Sequence, residues 1–353
     1  MNSSKKRCIC FLLSALVLLV FCGSLTAVVD PFFHYHKPLR ILQYPINNQR
    51  YQNDGIVRHF DYDAIITGTS MTENFKASEF DALFGTNSIK VNYNGATLRE
   101  INDTLLRAVD SNPNIRIILR GLDGWGFFDG KDHMRTDAEY PDYLYDDNLL
   151  NDVEYLFNKD VFFNYTLEVL KHTLKGLPTT DFDTYSSWDT SVTGRDIILS
   201  RYQRPEGTAV ENPPLTEEEI RNLRETLEQN VVAIAREHPD IQFYYFFTPY
   251  SIYYMDYLNQ YGLLLRYFQA YELATEILLE YDNIHLYSFF NDYGTITNPD
   301  LYTDQTHYCA DINSLLLHRM AAGENLLTSE NAASHWQEVT AYYMAYDYPA
   351  LFE

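Results

Sequence analysis

Apolar residues along the chain fall into runs of two kinds. One long block near the amino terminus, CICFLLSALVLLVFCGSLTAVV over Cys8–Val29, carries no charge until Asp30. The others are short: DAIITGTS from Asp63, SIKVNYNG from Ser88, IRIILRGLDGW from Ile115, IQFYYFFTPYS from Ile241 and NIHLYSFF from Asn283, the first three ending in glycine-containing turns. Runs of this length bounded by turn residues predict buried strands. Between them lie stretches with helical spacing, around 75–84 and 97–110, from Gly262 to Tyr281, and from Ala310 to Gly323. Thr216 and Glu219 form a capping-box pattern after Pro213-Pro214, which predicts a helix from there to about Glu237. Strand, turn, helix and strand in this order predict an α/β fold with a doubly wound parallel sheet of about five strands.

The long block has a different meaning. It follows Lys5-Lys6-Arg7 and is long enough, at about 1.5 Å per residue, to cross a hydrocarbon core of about 30 Å. The basic flank predicts a cytoplasmic tip at residues 1–7, a signal anchor at 8–29, and the rest of the chain on the extracytoplasmic side of the cell membrane. A cleaved signal peptide is the rival, because Ser24-Leu25-Thr26-Ala27 ends in small residues; a lipoprotein signal is disfavoured because Phe21 precedes Cys22.

Residues 30–59, rich in proline and aromatics, read as an irregular juxtamembrane neck, and residues 60–353 as one extracytoplasmic domain. The connection from Phe127 to about Leu215 is too long for a simple crossover. It predicts a partly helical insertion over the carboxyl ends of the strands.

Forty-nine acidic against twenty-six basic residues leave a net charge of −23, which repels a phosphate backbone and excludes nucleic acid as a partner. Of the cysteines, Cys8, Cys10 and Cys22 lie in or beside the apolar span, so Cys309 has no partner for a disulfide in the exported part. His34 and His36 lack a third ligand at usable spacing and read as packing residues, so neither a metal nor another cofactor is expected.

Candidate chemistry begins at Gly68-Thr69-Ser70, where the first strand stops. In an open parallel sheet ligands bind beyond the carboxyl ends of the strands. Ser70 at that edge, with a helix starting behind it, suits a nucleophile, and it equally suits a helix N-cap. A base is available in YTDQTHYCADIN, where Asp304 stands three residues before His307, a spacing that lets the carboxylate orient the imidazole. Asp282 and His285 repeat the spacing, but His285 falls inside the fifth apolar run and reads as a packed side chain.

A Gly-x-Ser after the first strand, a glycine after the second (Gly95 of NYNGAT) and Asp-x-x-His near the carboxyl end resemble the landmarks of the SGNH/GDSL hydrolases over roughly residues 60–320, the insertion excepted. With its single anchor and its DPFFHYH neck, the chain is more narrowly similar to membrane-anchored members that modify surface polysaccharides and teichoic acids, including DltD-like and alginate-acetylation proteins. The resemblance implies a flavodoxin-like sheet with Ser70 as nucleophile, His307 as general base and then acid, Asp304 as orienting carboxylate, and the Gly95 N–H in an oxyanion hole. It departs at Gly121-Leu122-Asp123-Gly124, where the family has an asparagine. Asn94 or the Trp125 indole then stands as a substitute donor, and Asp123 is read either as a site residue or as a turn residue before Gly124.

Two further features stay open. The thirty tyrosines suit sugar stacking, but most read as core or surface packing, and Arg120 at the end of the third strand suits an anionic substrate but reads first as the partner of a carboxylate. The function expected is that of a membrane-anchored serine esterase or O-acyltransferase working on a cell-surface glycan or teichoic acid, with a membrane-bound acyltransferase as a possible partner. The alternatives are a catalytically silent glycan-binding or assembly subunit and a lipid esterase at the membrane surface.

Overall fold

The computed structural model describes residues 3–137, 140–146, 148–205 and 210–353. The chain divides into two compact units, one made of Met1–Asp61 with Asp137–Asp181, the other of Tyr62–Thr136 with Phe182–Glu353.

In the first unit, helix α1 (Ser3–Val29) is the long apolar block, and it is apolar and long enough to cross a membrane. Its last turns are not free. Gly23 lies so close to the Phe157 ring that a built Cβ would stand 2.8 Å from it, the Thr26 and Thr166 hydroxyls are 3.2 Å apart, and Val29 is buried with its carbonyl accepting the Tyr44 hydroxyl at 2.8 Å. Asp30 follows in a left-handed conformation, its carboxylate accepting the backbone N–H groups of His34, Tyr35 and His36 and the Tyr155 hydroxyl. Of the two histidines, His34 Nε2 is 3.3 Å from Asp152, and His36 Nδ1 lies 2.8 Å from the Lys37 carbonyl.

The stretch expected to be an irregular neck contains a second helix, α2 (Gln49–His59), capped by the Asn48 side chain. Its sequence, QRYQNDGIVRH, has little apolar periodicity. Burial explains it: Gly55 lets the main chain of Phe32 and Phe33 approach so closely that a Cβ would fall 2.2 Å from the Phe32 carbonyl oxygen. The long connection also divides otherwise than the single insertion of 127–215. Asp137–Asp181 belongs with the amino-terminal segment, packed through Phe32, Leu144, Tyr155 and Val161, whereas Phe182 onward belongs with the sheet.

The second unit is an α/β sandwich on one five-stranded sheet: β1 (Ala64–Thr67), β2 (Ser88–Lys90), β3 (Ile117–Leu122), β4 (Gln242–Phe247) and β5 (Ile284–Ser288). All pairs are parallel and the order is β2-β1-β3-β4-β5, the flavodoxin-like arrangement. Parallel strands need crossovers, supplied by helices such as α3 (Ala77–Phe84), α4 (Leu98–Ser111) and the helix Leu264–Leu278. Order reverses between β1 and β3, so the crevice beyond their carboxyl ends is the place to look for a ligand.

The capping box at Thr216 and Glu219 forms, and its helix runs to Leu227, continues as a π-helical turn over Glu228–Val232 and ends at Glu237. A π-turn disturbs the regular carbonyl ladder. Arg120, fully buried, donates to the carbonyl of Asn230 in that turn at 2.7 Å and to the Leu98 carbonyl at 3.1 Å. It therefore serves main-chain carbonyls at the start of α4 and in the π-helical turn.

Candidate active site

Ser70 stands at the carboxyl end of β1, but not at the start of a long helix. It opens a 3-10 turn, Ser70–Thr72, and α3 begins only at Ala77. The N-cap is Thr69, whose hydroxyl accepts the Met71 N–H at 3.3 Å, so the capping role open to Ser70 is taken by its neighbour. A helix dipole behind Ser70 is likewise replaced by a three-residue turn.

Several bonds fix this turn. The Thr69 carbonyl accepts the Thr72 N–H at 3.0 Å and the Thr72 hydroxyl at 2.8 Å. Gly68 has φ of 147°, and a Cβ there would lie 2.7 Å from the Thr72 side chain, as would one at Gly121. Small residues at the ends of β1 and β3 thus allow the turn to fold back over the strand tips.

His307 reaches Ser70 from the loop after β5. Its Nε2 lies 2.8 Å from the Ser70 hydroxyl and its Nδ1 2.8 Å from Asp304 Oδ2. The loop is pinned by the Thr303 N–H on the His307 carbonyl at 2.8 Å and by bridge pairing of Tyr302 with Tyr308. Asp304 Oδ1 accepts the backbone N–H groups of Thr306 and His307, each at 2.8 Å. Burial would raise the Asp304 carboxyl, but the bonds and charge of His307 and the Thr306 N–H outweigh it and hold the carboxyl well below its usual range. An ionised Asp304 only accepts, so the Nδ1 proton belongs to His307 and Nε2 accepts from Ser70.

The Gly95 turn lies beside Ser70 because the β1–β2 pairing continues past the strand ends: the Tyr93 N–H donates to the Gly68 carbonyl at 3.0 Å. Gly95 has φ of 60°, and Arg135 donates to the carbonyls of both Asn94 and Gly95. Among the described residues, the N–H groups of Ser70 and Gly95 have no protein acceptor. Asn94 is exposed. Trp125 is half-buried in the 3-10 segment Gly124–Phe128, and no hydrogen bond or ring contact among the described residues joins it to Ser70 or His307.

Asp123 is neither a plain turn residue nor a free charge at the crevice. It is buried; Oδ2 accepts the Thr69 hydroxyl at 2.7 Å, and Oδ1 accepts the hydroxyls of Thr248 at 2.8 Å and Tyr250 at 2.5 Å. Burial raises its pKa against the pull of these donors. Sequence reasoning missed these partners, although Thr248-Pro249-Tyr250, polar residues directly after β4, offered a signal. It also missed Trp188, whose ring meets His307 edge to face at 5.3 Å, and Arg201, 3.6 Å from Asp304.

His285, the rival base, lies in β5 with Nε2 2.9 Å from the Gln242 side chain, beside Tyr244, and burial lowers its pKa. The structure brings Ser70 together with His307 and Asp304, and leaves His285 in the sheet.

A search against family models finds no match, and neither does a search of curated proteins. Among solved structures, one from Streptococcus pneumonia, provisionally described as a platelet activating factor, is similar with a TM-score of 0.36 and 13% identity over 77% of this chain and 90% of that one.

Proposed function

We propose that the protein is a membrane-anchored serine esterase or O-acyltransferase of the SGNH type, acting outside the cytoplasm on acyl esters of a surface glycan or teichoic acid. The observation that carries this is the continuous relay from the Ser70 hydroxyl through His307 to Asp304 at the switch point of the sheet. Ser70 Oγ attacks the ester carbonyl as its proton passes to His307 Nε2. The tetrahedral oxyanion takes hydrogen bonds from the N–H groups of Ser70 and Gly95, and the imidazolium is stabilised by Asp304. Collapse expels the alcohol, which takes the proton from Nε2 and leaves acyl-Ser70. Water or a sugar hydroxyl then gives its proton to Nε2 and attacks the acyl carbon, and Ser70 regains a proton as the new acid or ester leaves. The glycan end of the substrate and a membrane-bound acyltransferase as acyl donor rest on the resemblance of the motifs and on α1, which is long and apolar enough to cross a membrane.

The Asp123 side chain, which accepts three hydroxyls and is not left facing the oxyanion site, supports the catalytic reading over a silent subunit. The test is to expose the full-length protein to a fluorophosphonate and map the adduct. Labelling of Ser70 that is lost in Ser70→Ala and His307→Ala supports the reading. A folded protein that stays unlabelled and turns over no aryl acetate overturns it.

A further inference from the structure

The anchor helix is too short to cross the membrane with only its exposed part. From Cys8 to Phe21 its side chains are almost all exposed, but from Gly23 to Val29 they pack in alternation against the rest of their unit. The exposed stretch is about 14 residues, or about 21 Å at about 1.5 Å per residue, whereas the hydrocarbon core is about 30 Å thick. With Lys5-Lys6-Arg7 at the opposite boundary, the missing depth has to come from the next six or so residues. Those residues are the ones that carry Phe157 on Gly23 and Thr166 on Thr26.

Whatever surrounds Gly23 and Thr26 therefore shares their depth. The neighbouring stretch LLNDVEYLFNKDVFF exposes Leu149, Leu150, Val153, Phe157 and Phe163, with Leu150 at 85% and Phe163 at 60% exposure, an unusual density of large apolar side chains on a protein surface. Buried anchors hold it in place: Tyr155 on Asp30, and Asp152 on His34 and Tyr35. Glu154, Asn158, Lys159 and Asp160 are interspersed, a mixture that suits a headgroup boundary rather than a second span.

We propose that Leu149–Phe163 lies in the outer lipid interface as a collar around the exit of α1, so that the amino-terminal unit rests on the bilayer and is not tethered by a flexible stalk. The occupant of the apolar surface is lipid, because the surface is continuous with the apolar face of α1 at Gly23. The placement depends on α1 crossing the membrane, which the same experiment tests separately.

Full-length protein is reconstituted into phosphatidylcholine–phosphatidylglycerol vesicles with and without bromine on the acyl chains. Tryptophan is introduced singly as Leu16→Trp, Leu150→Trp or Phe163→Trp, and the background of the native tryptophans is subtracted. Quenching of all three by brominated lipid, at least twofold for Leu150→Trp and Phe163→Trp, with little quenching by aqueous acrylamide, is the expected result. Quenching of Leu16→Trp alone, with Leu150→Trp and Phe163→Trp open to acrylamide, overturns the collar and leaves the anchor intact. If Leu16→Trp also escapes, α1 does not cross and the membrane reading itself fails. Shielding of Leu150→Trp from both quenchers, together with a dimer in detergent that Leu149→Ser/Leu150→Ser dissociates, assigns the surface to a second copy and likewise overturns the proposal.

Discussion

The Tyr308 hydroxyl donates to the Met71 carbonyl over 2.8 Å, so the residue after His307 is bonded to the residue after Ser70. Asn313, on the helix Ala310–Ala321, donates to the same oxygen at 3.0 Å. Two segments more than two hundred residues apart in sequence are thus clamped next to Ser70 and His307. A buried hydrogen bond contributes about 1 kcal/mol net, and an orphaned buried carbonyl costs roughly 1–3 kcal/mol. Tyr308→Phe leaves Asn313 in place and should lower kcat on an aryl acetate by only a few-fold. Tyr308→Phe/Asn313→Ala leaves the Met71 carbonyl bare and should lower kcat by more than the product of the two single effects, with the pH–rate profile unmoved. Additive losses in kcat that merely follow a falling Tm would show that the clamp supports the fold and not the Ser70–His307 distance.

Asp123 gives a second prediction, opposite to the one its sequence context suggests. A carboxylate facing an oxyanion would slow the reaction, and Asp123→Asn would speed it. Here the carboxylate receives Thr69, Thr248 and Tyr250, so Asp123→Ala strands three buried hydroxyls at roughly 1–3 kcal/mol each and releases the residue before Ser70. Thermal melts should show a large loss for Asp123→Ala and a smaller one for Asp123→Asn, which keeps one acceptor. The Asn variant should also show a lower kcat with KM little changed. A higher turnover in Asp123→Asn would restore the oxyanion role.

How much of this was legible beforehand depends on the range of the interaction. All five strands and the crossover helices announce themselves through local apolar runs, and the approximate place of Ser70 follows from Gly68 and the strand end. Asp304 and His307 are neighbours in sequence, so their pairing is local as well. The helix Gln49–His59 is not legible, because its stability comes from burial of Gln52, Asn53, Asp54 and Gly55 against residues elsewhere in its unit rather than from its own periodicity. Asp123 is the instructive case: its local context reads as a turn, while its three partners come from the tips of β1 and β4. The division of the long connection at about residue 181 is equally invisible, since only three-dimensional contacts tell which unit each half joins.

A pH prediction comes from the second unit, away from the relay. His335, on the helix Ala332–Met344, has Nε2 2.8 Å from the Ser288 hydroxyl at the end of β5, and burial pushes its pKa down to about 4, with Glu338 opposing weakly. A histidine whose folded pKa lies below its unfolded value of about 6.5 favours the folded state when neutral. Its contribution is complete above about pH 6.5 and is lost as pH falls through that value toward 4. By linkage the loss at pH 5 is about 2 kcal/mol. Asp304 works in the same sense but at lower pH, because its carboxyl is held down and its contribution disappears only on stronger acidification. Urea unfolding at pH 7.5 and pH 5 should show a smaller fall for His335→Gln than for the unsubstituted protein. Equal falls would place the titration elsewhere.

Trp188 carries the last prediction. Its backbone N–H donates to the Asn74 side chain at 3.1 Å, while nearby Asp183 accepts from Ser78 and Thr190 accepts the Ala310 N–H at 3.0 Å. These bonds hold residues 183–190 as a fixed strap, and the indole meets the His307 ring at an interplanar angle of 89°. Among the described residues its N–H has no acceptor, although it is shielded from solvent. An aromatic face beside His307 is suited to a sugar ring that presents a hydroxyl to Nε2. Trp188→Ala should raise KM for an acetylated oligosaccharide by about tenfold, the effect of roughly 1.4 kcal/mol of lost contact. It should leave fluorophosphonate labelling of Ser70 and hydrolysis of a small aryl acetate within about threefold of the unsubstituted protein, where threefold corresponds to well under 1 kcal/mol. Trp188→Phe keeps the edge contact with His307 and lacks the N–H, so it should fall between the two. Equal losses on large and small esters would mean that Trp188 orients His307 and takes no part in holding the sugar.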